Sequence, residues 1–267
     1  MNSTWSGMIS FGLVNIPVKL YTATRDKDIS FNQMHKDDNG RVRYEKVCKA
    51  CGKELGKDDL VKGYEYKKGQ YVIVTDEELK SVNIKTTKSI TVTNFINLDD
   101  IDPLEFEKAY YIGPDENGEK SYVLLREALA QSKKIAIGKV SLHSREQLAV
   151  LRLMDNIIIL ETMHFADEII KPEGIGLPAA DFKVADNELD LAKVLIQHMT
   201  SPFDYSSFHD EYEQALKELI NQKIAGEEVT TPPAPQPTNV IDIMAALKAS
   251  LETVNKSAST AKKKKTA

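Results

Sequence analysis

The stretch that most constrains this fold is Trp5–Tyr21, WSGMISFGLVNIPVKLY, with apolar residues at Met8, Ile9, Phe11, Leu13, Val14, Ile16, Val18 and Leu20. β-Branched and aromatic residues dominate, and Gly7 and Gly12 sit where a helix would be weakened, so Ile9 to Leu20 reads as strand. Gly12 suggests a bulge or a close backbone approach, and Pro17, which cannot donate to a ladder, suggests an edge or a break. A strand apolar on both faces needs a large sheet or barrel to cover it.

Up to residue 170 the chain continues in short apolar runs separated by turn residues. Tyr71–Val74, after the Lys68-Gly69 turn, reads as a short buried strand. Ile84–Phe95 reads as a strand with Ile90, Val92 and, less regularly, Phe95 inward. Ala109–Ile112 and Lys134–Leu142 are further strands, and Leu148–Met163 is a hairpin around Asp155-Asn156. Two short helices interrupt them. Thr75–Leu79 opens with Thr75 and Glu78 as a capping box, and Ser121–Gln131 places Val123, Leu124, Ala128 and Leu129 on its buried side. This is the pattern of a barrel or sandwich with excursions, mainly β with short helices.

From Asn187 the period changes. Leu189, Leu191, Ala192, Leu195, Ile196 and Met199 have helical spacing, and Tyr205–Ala225 forms a second helix stopped by Gly226. Thr230–Thr238, TTPPAPQPT, is a stiff extended linker. Beyond it an apolar stripe, from Val240 through Ile241, Met244, Leu247 and Leu251 to Val254, precedes the basic tail Lys262–Lys265. The expected divisions are 1–186 with an excursion over about 28–75, then helices over 187–229, a linker over 230–239, and an amphipathic helix with a lysine-rich tail over 240–267.

Composition matters here through its distribution. The net charge is −5, yet segment 35–70 holds ten Lys and Arg against seven Asp and Glu, and segment 231–267 six against two. Segments 76–130 (six against twelve) and 176–230 (four against eleven) carry the acid. Local field governs an encounter with phosphate, so the acidic average does not exclude a nucleic-acid partner. Asp37-Asp38-Asn39-Gly40 is a hairpin signal with Phe31–His35 and Arg41–Val47 as arms. The candidate phosphate contacts are Arg41, Arg43, Lys46, Lys49, Lys53, Lys57 and Lys62, with Lys19 and Arg25 as weaker ones.

Cys48 and Cys51, in CKACGK, are candidate zinc ligands. The pair resembles one knuckle of a zinc ribbon, but tetrahedral zinc takes four ligands and a second CxxC is absent. Three readings stay open: a reduced metal-free pair, zinc completed by a histidine (His35 is the one nearby) or by another subunit, and a redox pair. Two cysteines three positions apart argue against a disulfide framework and suit a reducing cytoplasm. No apolar run approaches the ~20 residues of a membrane span, and no secretory signal opens the chain. There is no phosphate-binding GxxxxGK[ST], HExxH or GxSxG, so the chain is expected not to be an enzyme.

Five collinear runs resemble the bacterial Ku family of DNA-end-binding proteins: Trp5–Thr24, Glu107–Pro114 (EKAYYIGP), Lys120–Leu129 (KSYVLLREAL), Leu160–Ile169 (LETMHFADEI) and Tyr212–Ile220 (YEQALKELI). The resemblance implies a Ku-like β-barrel with an extended arm forming a dimeric ring, followed by C-terminal helices and a flexible tail. It further implies a nucleoid-associated homodimer that threads ends of double-stranded DNA without sequence specificity. An ATP-dependent multifunctional DNA ligase would be its partner in non-homologous end joining, docking on helices 187–199 and 205–225. The competing readings are a thiol–disulfide protein using Cys48 and Cys51, and a general architectural nucleic-acid binder with a zinc knuckle.

Overall fold

The computed structural model describes residues 1–82, 88–142, 145–179, 181–227 and 247. Two compact units divide the chain, Met1–Pro172 and Glu173–Ala267.

The opening apolar stretch forms two strands rather than one, β1 (Trp5–Phe11) and β2 (Val14–Thr22), paired antiparallel from Trp5↔Leu20 to Phe11↔Val14. The break is at Gly12, whose φ of +58° suits a residue without a Cβ. Gly12 therefore turns the chain instead of bulging it. Pro17 lies inside β2, which has neighbours on both sides. The ladder to the next strand starts one residue later, at Val18, so the missing N–H of Pro17 costs no rung there. Its carbonyl accepts from the Asp115 amide at 2.9 Å.

Five more strands complete the barrel: β5 (Ser89–Ile96), β6 (Phe106–Pro114), β7 (Ile135–Leu142), β8 (Arg145–Met154) and β9 (Ile157–Met163). The closed order is β1-β2-β6-β9-β8-β7-β5, sealed by a short parallel pairing of β1 with β5. Ile9, Ile16, Val18, Leu20, Ile90, Ile112, Leu151, Ile158 and Leu160 are fully buried, alternating along their strands as one inward face requires. Gly138 on β7 lets β5 come close, since a Cβ there would sit 2.2 Å from the Thr91 carbonyl oxygen. A register shift between Val92 and Asn94 reverses the alternation of β5, so Phe95 is exposed while Ile96 packs beside the second cluster of Ile101, Ile135, Val150 and Met163. Of the expected strand Ile84–Phe95, residues 84–87 lie outside the described residues.

Helix α2 (Glu119–Ser132) joins the core through Tyr122, Leu125 and Leu129, spaced at i, i+3 and i+7. The expected face was wrong for Val123, Leu124 and Ala128, which are exposed. Tyrosine takes their place because its hydroxyl finds both of its partners in the interior. It donates to the Ile112 carbonyl at 2.9 Å and accepts from the Ile158 amide at 3.0 Å, while burial pushes the phenol upward. Tyr122→Phe would leave two buried backbone groups unpaired, at roughly 1–3 kcal/mol each. We expect a loss of that order in urea unfolding with far-ultraviolet circular dichroism unchanged. A midpoint equal to wild type would mean that solvent reaches this site.

Between β2 and β5 lie strands β3 (Lys62–Lys67) and β4 (Gln70–Val74), a separate two-stranded sheet, and then α1 (Asp76–Val82). The capping box of α1 is present, with the Thr75 amide donating to Glu78 Oε2 at 2.8 Å and the Glu78 amide donating to Thr75 Oγ1 at 3.2 Å. Tyr71–Val74 is a strand but not a buried one, and its partner β3 was not anticipated. Nothing among the described residues covers the pair: Tyr64, Tyr66, Tyr71, Val72 and Ile73 are all exposed.

In the second unit α3 (Asp186–Met199) has the expected span. Helix α4 (Glu211–Ala225) starts later than expected, where the Asp210 carboxylate accepts from the Glu213 amide at 2.9 Å, and Gly226 closes it with φ +75°. Between them Phe203 meets Tyr205 edge-on at 6.0 Å and Phe208 at 5.6 Å. No described residue of this unit is buried. The expected linker 230–239 and the helix and tail over 240–267 lie, apart from Leu247, outside the described residues.

Candidate nucleic-acid interface

From Thr22 to Lys88 no described residue is buried. The backbone here is ordered by three successive turns. In the first, Met34 bridges Arg41, the His35 amide donates to Gly40 at 2.8 Å, and the Val42 amide to Gln33 at 3.1 Å. Asn39 takes a φ of +55°, as its turn signal foretold. The expected ladder of Phe31–His35 with Arg41–Val47 shrinks to this single bridge, reinforced by a hydrogen bond from the Tyr44 hydroxyl to Gln33. In the second turn Val47 bridges Glu54, and amide–carbonyl bonds join Leu55 to Lys46 (2.7 Å), Cys48 to Lys53 (2.8 Å) and Gly52 to Cys48 (2.8 Å). The third is the β3–β4 hairpin.

This segment carries the candidate cations, and its own acids separate them into two groups. Arg43 pairs with Glu45, Lys62 with Asp76 at 2.8 Å, and Lys53 stands 3.9 Å from Asp59. Among the described residues Arg41 donates only to the neutral Asn32 side chain, at 2.9 Å. Lys46, Lys49 and Lys57 have no ion pair among the described residues. Much of the segment's acid serves the turns instead: Asp38 accepts from the Gly40 amide and from His35, which holds its carboxyl below the usual range, and Glu65 accepts from the Gly69 amide. Cations without partners therefore outnumber unpaired acids along the described turns, and a solvated cation with no carboxylate to surrender meets phosphate at least cost.

Arg41 also lines a groove of about 280 Å³ with Phe31, Asn32, Gln33, Val42 and Tyr44. Lys19 is placed differently. It sits on β2 of the barrel with Nζ 2.6 Å from Asp115, whose hydrogen bond raises the lysine and lowers the aspartate. Arg25 stands at the root of the arm, in a groove with Thr4, Thr22, Thr24, Asp26, Tyr110 and Lys108. Sequence reading did not single out Lys108, nor Lys36, Lys67 and Lys68, which ride on the first and third turns. The signal for the last three was available, since each lies within three residues of an Asn or Gly at positive φ.

At the second turn, the amides of Cys51 and Ala50 and the Cys51 thiol all bond toward the Cys48 sulfur, depressing that thiol. Among the described residues no group of three or more His, Cys, Asp or Glu is arranged to hold a metal ion. His35 lies instead 2.8 Å from Asp38 and 3.7 Å from Asp37. None of the described helices is long and apolar enough to cross a membrane.

Comparison with known proteins adds to this geometry. Residues 10–191 match the Ku70/Ku80 beta-barrel domain family. Over 256 residues the chain is 44% identical to the non-homologous end joining protein Ku of Bacillus subtilis, covering 94% of this chain and 82% of that one. It is 42% identical over 254 residues to the non-homologous end joining protein Ku of Archaeoglobus fulgidus, covering 95% of this chain and 100% of that one.

Proposed function

The chain belongs to the Ku family, and on that premise we propose that it binds the ends of double-stranded DNA as a non-catalytic component of non-homologous end joining. It acts as a homodimer whose arms, over about residues 28–75, close a ring around the duplex. One observation carries the reading: an arm that buries none of its described residues presents cations without partners beside apolar strands without cover. The cations suit phosphates, and the uncovered strands suit a second copy of the arm. Arg41, Lys46, Lys49 and Lys57 make the primary phosphate contacts. Arg43, Lys53 and Lys62 join them by exchanging exposed ion pairs, while Arg25 and Lys19 contribute from the barrel side. Backbone contacts of this kind read no sequence, as a protein accepting any broken end requires.

The ATP-dependent ligase partner docks on the second unit. Support comes from the acidic first turns of α3 and α4 together with exposed Ile196, Met199, Phe203, Phe208 and Tyr212. Such a protein works in the cytoplasm, on the nucleoid.

Threading is tested by topology. Linear duplex should bind, and a covalently closed circle of the same sequence should not. Protein bound to a linear fragment should stay trapped once that fragment is circularised. Equal affinity for both forms would replace the ring by an architectural binder that follows phosphate without needing an end.

A further inference from the structure

The cysteine turn has a geometry that neither the DNA nor the ligase requires. Val47 bridges Glu54 across it, Cys48 exchanges backbone hydrogen bonds with Lys53 and Gly52, and Gly52 closes it at φ +71°. The two backbone bonds, from the Cys48 amide to Lys53 and from the Gly52 amide to Cys48, both at 2.8 Å, hold Cys48 and Cys51 on one closed turn. A tight turn that carries two cysteines three positions apart provides half of a tetrahedral thiolate site. Zn–S bonds of about 2.3 Å at tetrahedral angles put neighbouring sulfurs about 3.8 Å apart, so both sulfurs of one turn can serve a single ion.

The other half is not supplied by the described residues of the same chain. Nothing among them makes a third ligand, and His35 is engaged by Asp37 and Asp38. A two-fold interface supplies it without further residue types, because a patch lying on the axis faces its own copy. The turn is suited to that position. Cys51 is exposed, and the exposed apolar residues Val47, Leu60 and Val61 flank the turn on both sides. Resting on the homodimer proposed above, we propose that Cys48 and Cys51 of two copies together bind one zinc ion, as a tetrathiolate site on the two-fold axis of the arms. Metal binding then crosslinks the arms, because each chain releases its thiol protons and contributes two thiolates to the shared ion.

The test uses the full chain, purified without chelator, with metal content and mass of the intact complex measured in the same sample. The expected result is one zinc per two chains. After exchange to cobalt, the charge-transfer absorption should have the intensity of four thiolates per metal. Cys48→Ser/Cys51→Ser should take the metal content to background. Should that variant fail to fold, the wild-type stoichiometry and cobalt spectrum still decide. One metal per chain with a two-thiolate spectrum would overturn the shared site, as would a dimer without metal. A dimer without metal leaves the ring reading standing, whereas a monomeric protein overturns both and locates the failure in the dimer.

Discussion

Raising salt from about 50 to 200 mM should weaken the DNA complex by about 10³–10⁵, the loss for a protein that neutralises about 6–10 phosphates. Arg41, Lys46, Lys49 and Lys57 are the residues to remove, because no carboxylate among the described residues holds any of them. Each contributes close to 0.9 to the slope of log K against log salt, and the two arms of the dimer carry eight of them, so their joint replacement by Ala lowers the slope by about 7. Across that fourfold change in salt, the affinity loss then shrinks by about ten-thousandfold. Sequence preference stays as it was. Lys19→Ala supplies the internal comparison. Its ammonium is committed to Asp115 at 2.6 Å on the barrel, so its effect on slope should be the smallest of the candidates. Titrations at several salt concentrations decide the matter. An unchanged slope in the quadruple variant would move the DNA path off the arm.

The barrel was legible because a period of two survives translation into structure. Strands β6 to β9 lie where alternating runs and turn residues put them, and Asp155 takes the positive φ its turn needs. The failures share one cause, which is that a local pattern does not say what will cover it. Gly12 was expected to mark a bulge or a close backbone approach within one strand, and only the pairing of Trp5 with Leu20 shows that it turns the chain. Tyr122 scores as half polar, so the phase of α2 was set by its exposed neighbours Val123 and Leu124 until the carbonyl of Ile112 and the amide of Ile158 claimed the hydroxyl. At the arm, the positions of the charges were legible and their pairing was not. Lys46 and Lys62 look alike in sequence. Asp76, fourteen residues on from Lys62, makes them different.

Val72→Asp should abolish the dimer while leaving the barrel as stable as before. An isolated two-stranded sheet is marginal in water and needs packing on at least one face. Hairpin β3–β4 is apolar on both faces. Tyr64 stands opposite Val72 on one, and Tyr71 and Ile73 occupy the other, opposite Glu65 and Gly63. All four large residues are at least 48% exposed, so the described residues supply no cover for either face. In the free chain an aspartate at position 72 points to water, and surface substitutions of that kind stay within about 0.5 kcal/mol. Beneath a second copy the same carboxylate is buried without a partner, at about 3–5 kcal/mol, which is roughly 10²–10⁴ in the dimer Kd. Ile73→Asp repeats the test on the opposite face and tells which one the second copy covers. Sedimentation read beside thermal unfolding separates dimer loss from barrel damage, because Val72 contributes nothing to the barrel core. Once the dimer is lost, trapping on circularised DNA goes with it, while phosphate contacts by a single arm persist at lower affinity. Two variants that remain dimeric at wild-type concentrations would place the two-fold interface elsewhere and leave the uncovered strands for a different partner.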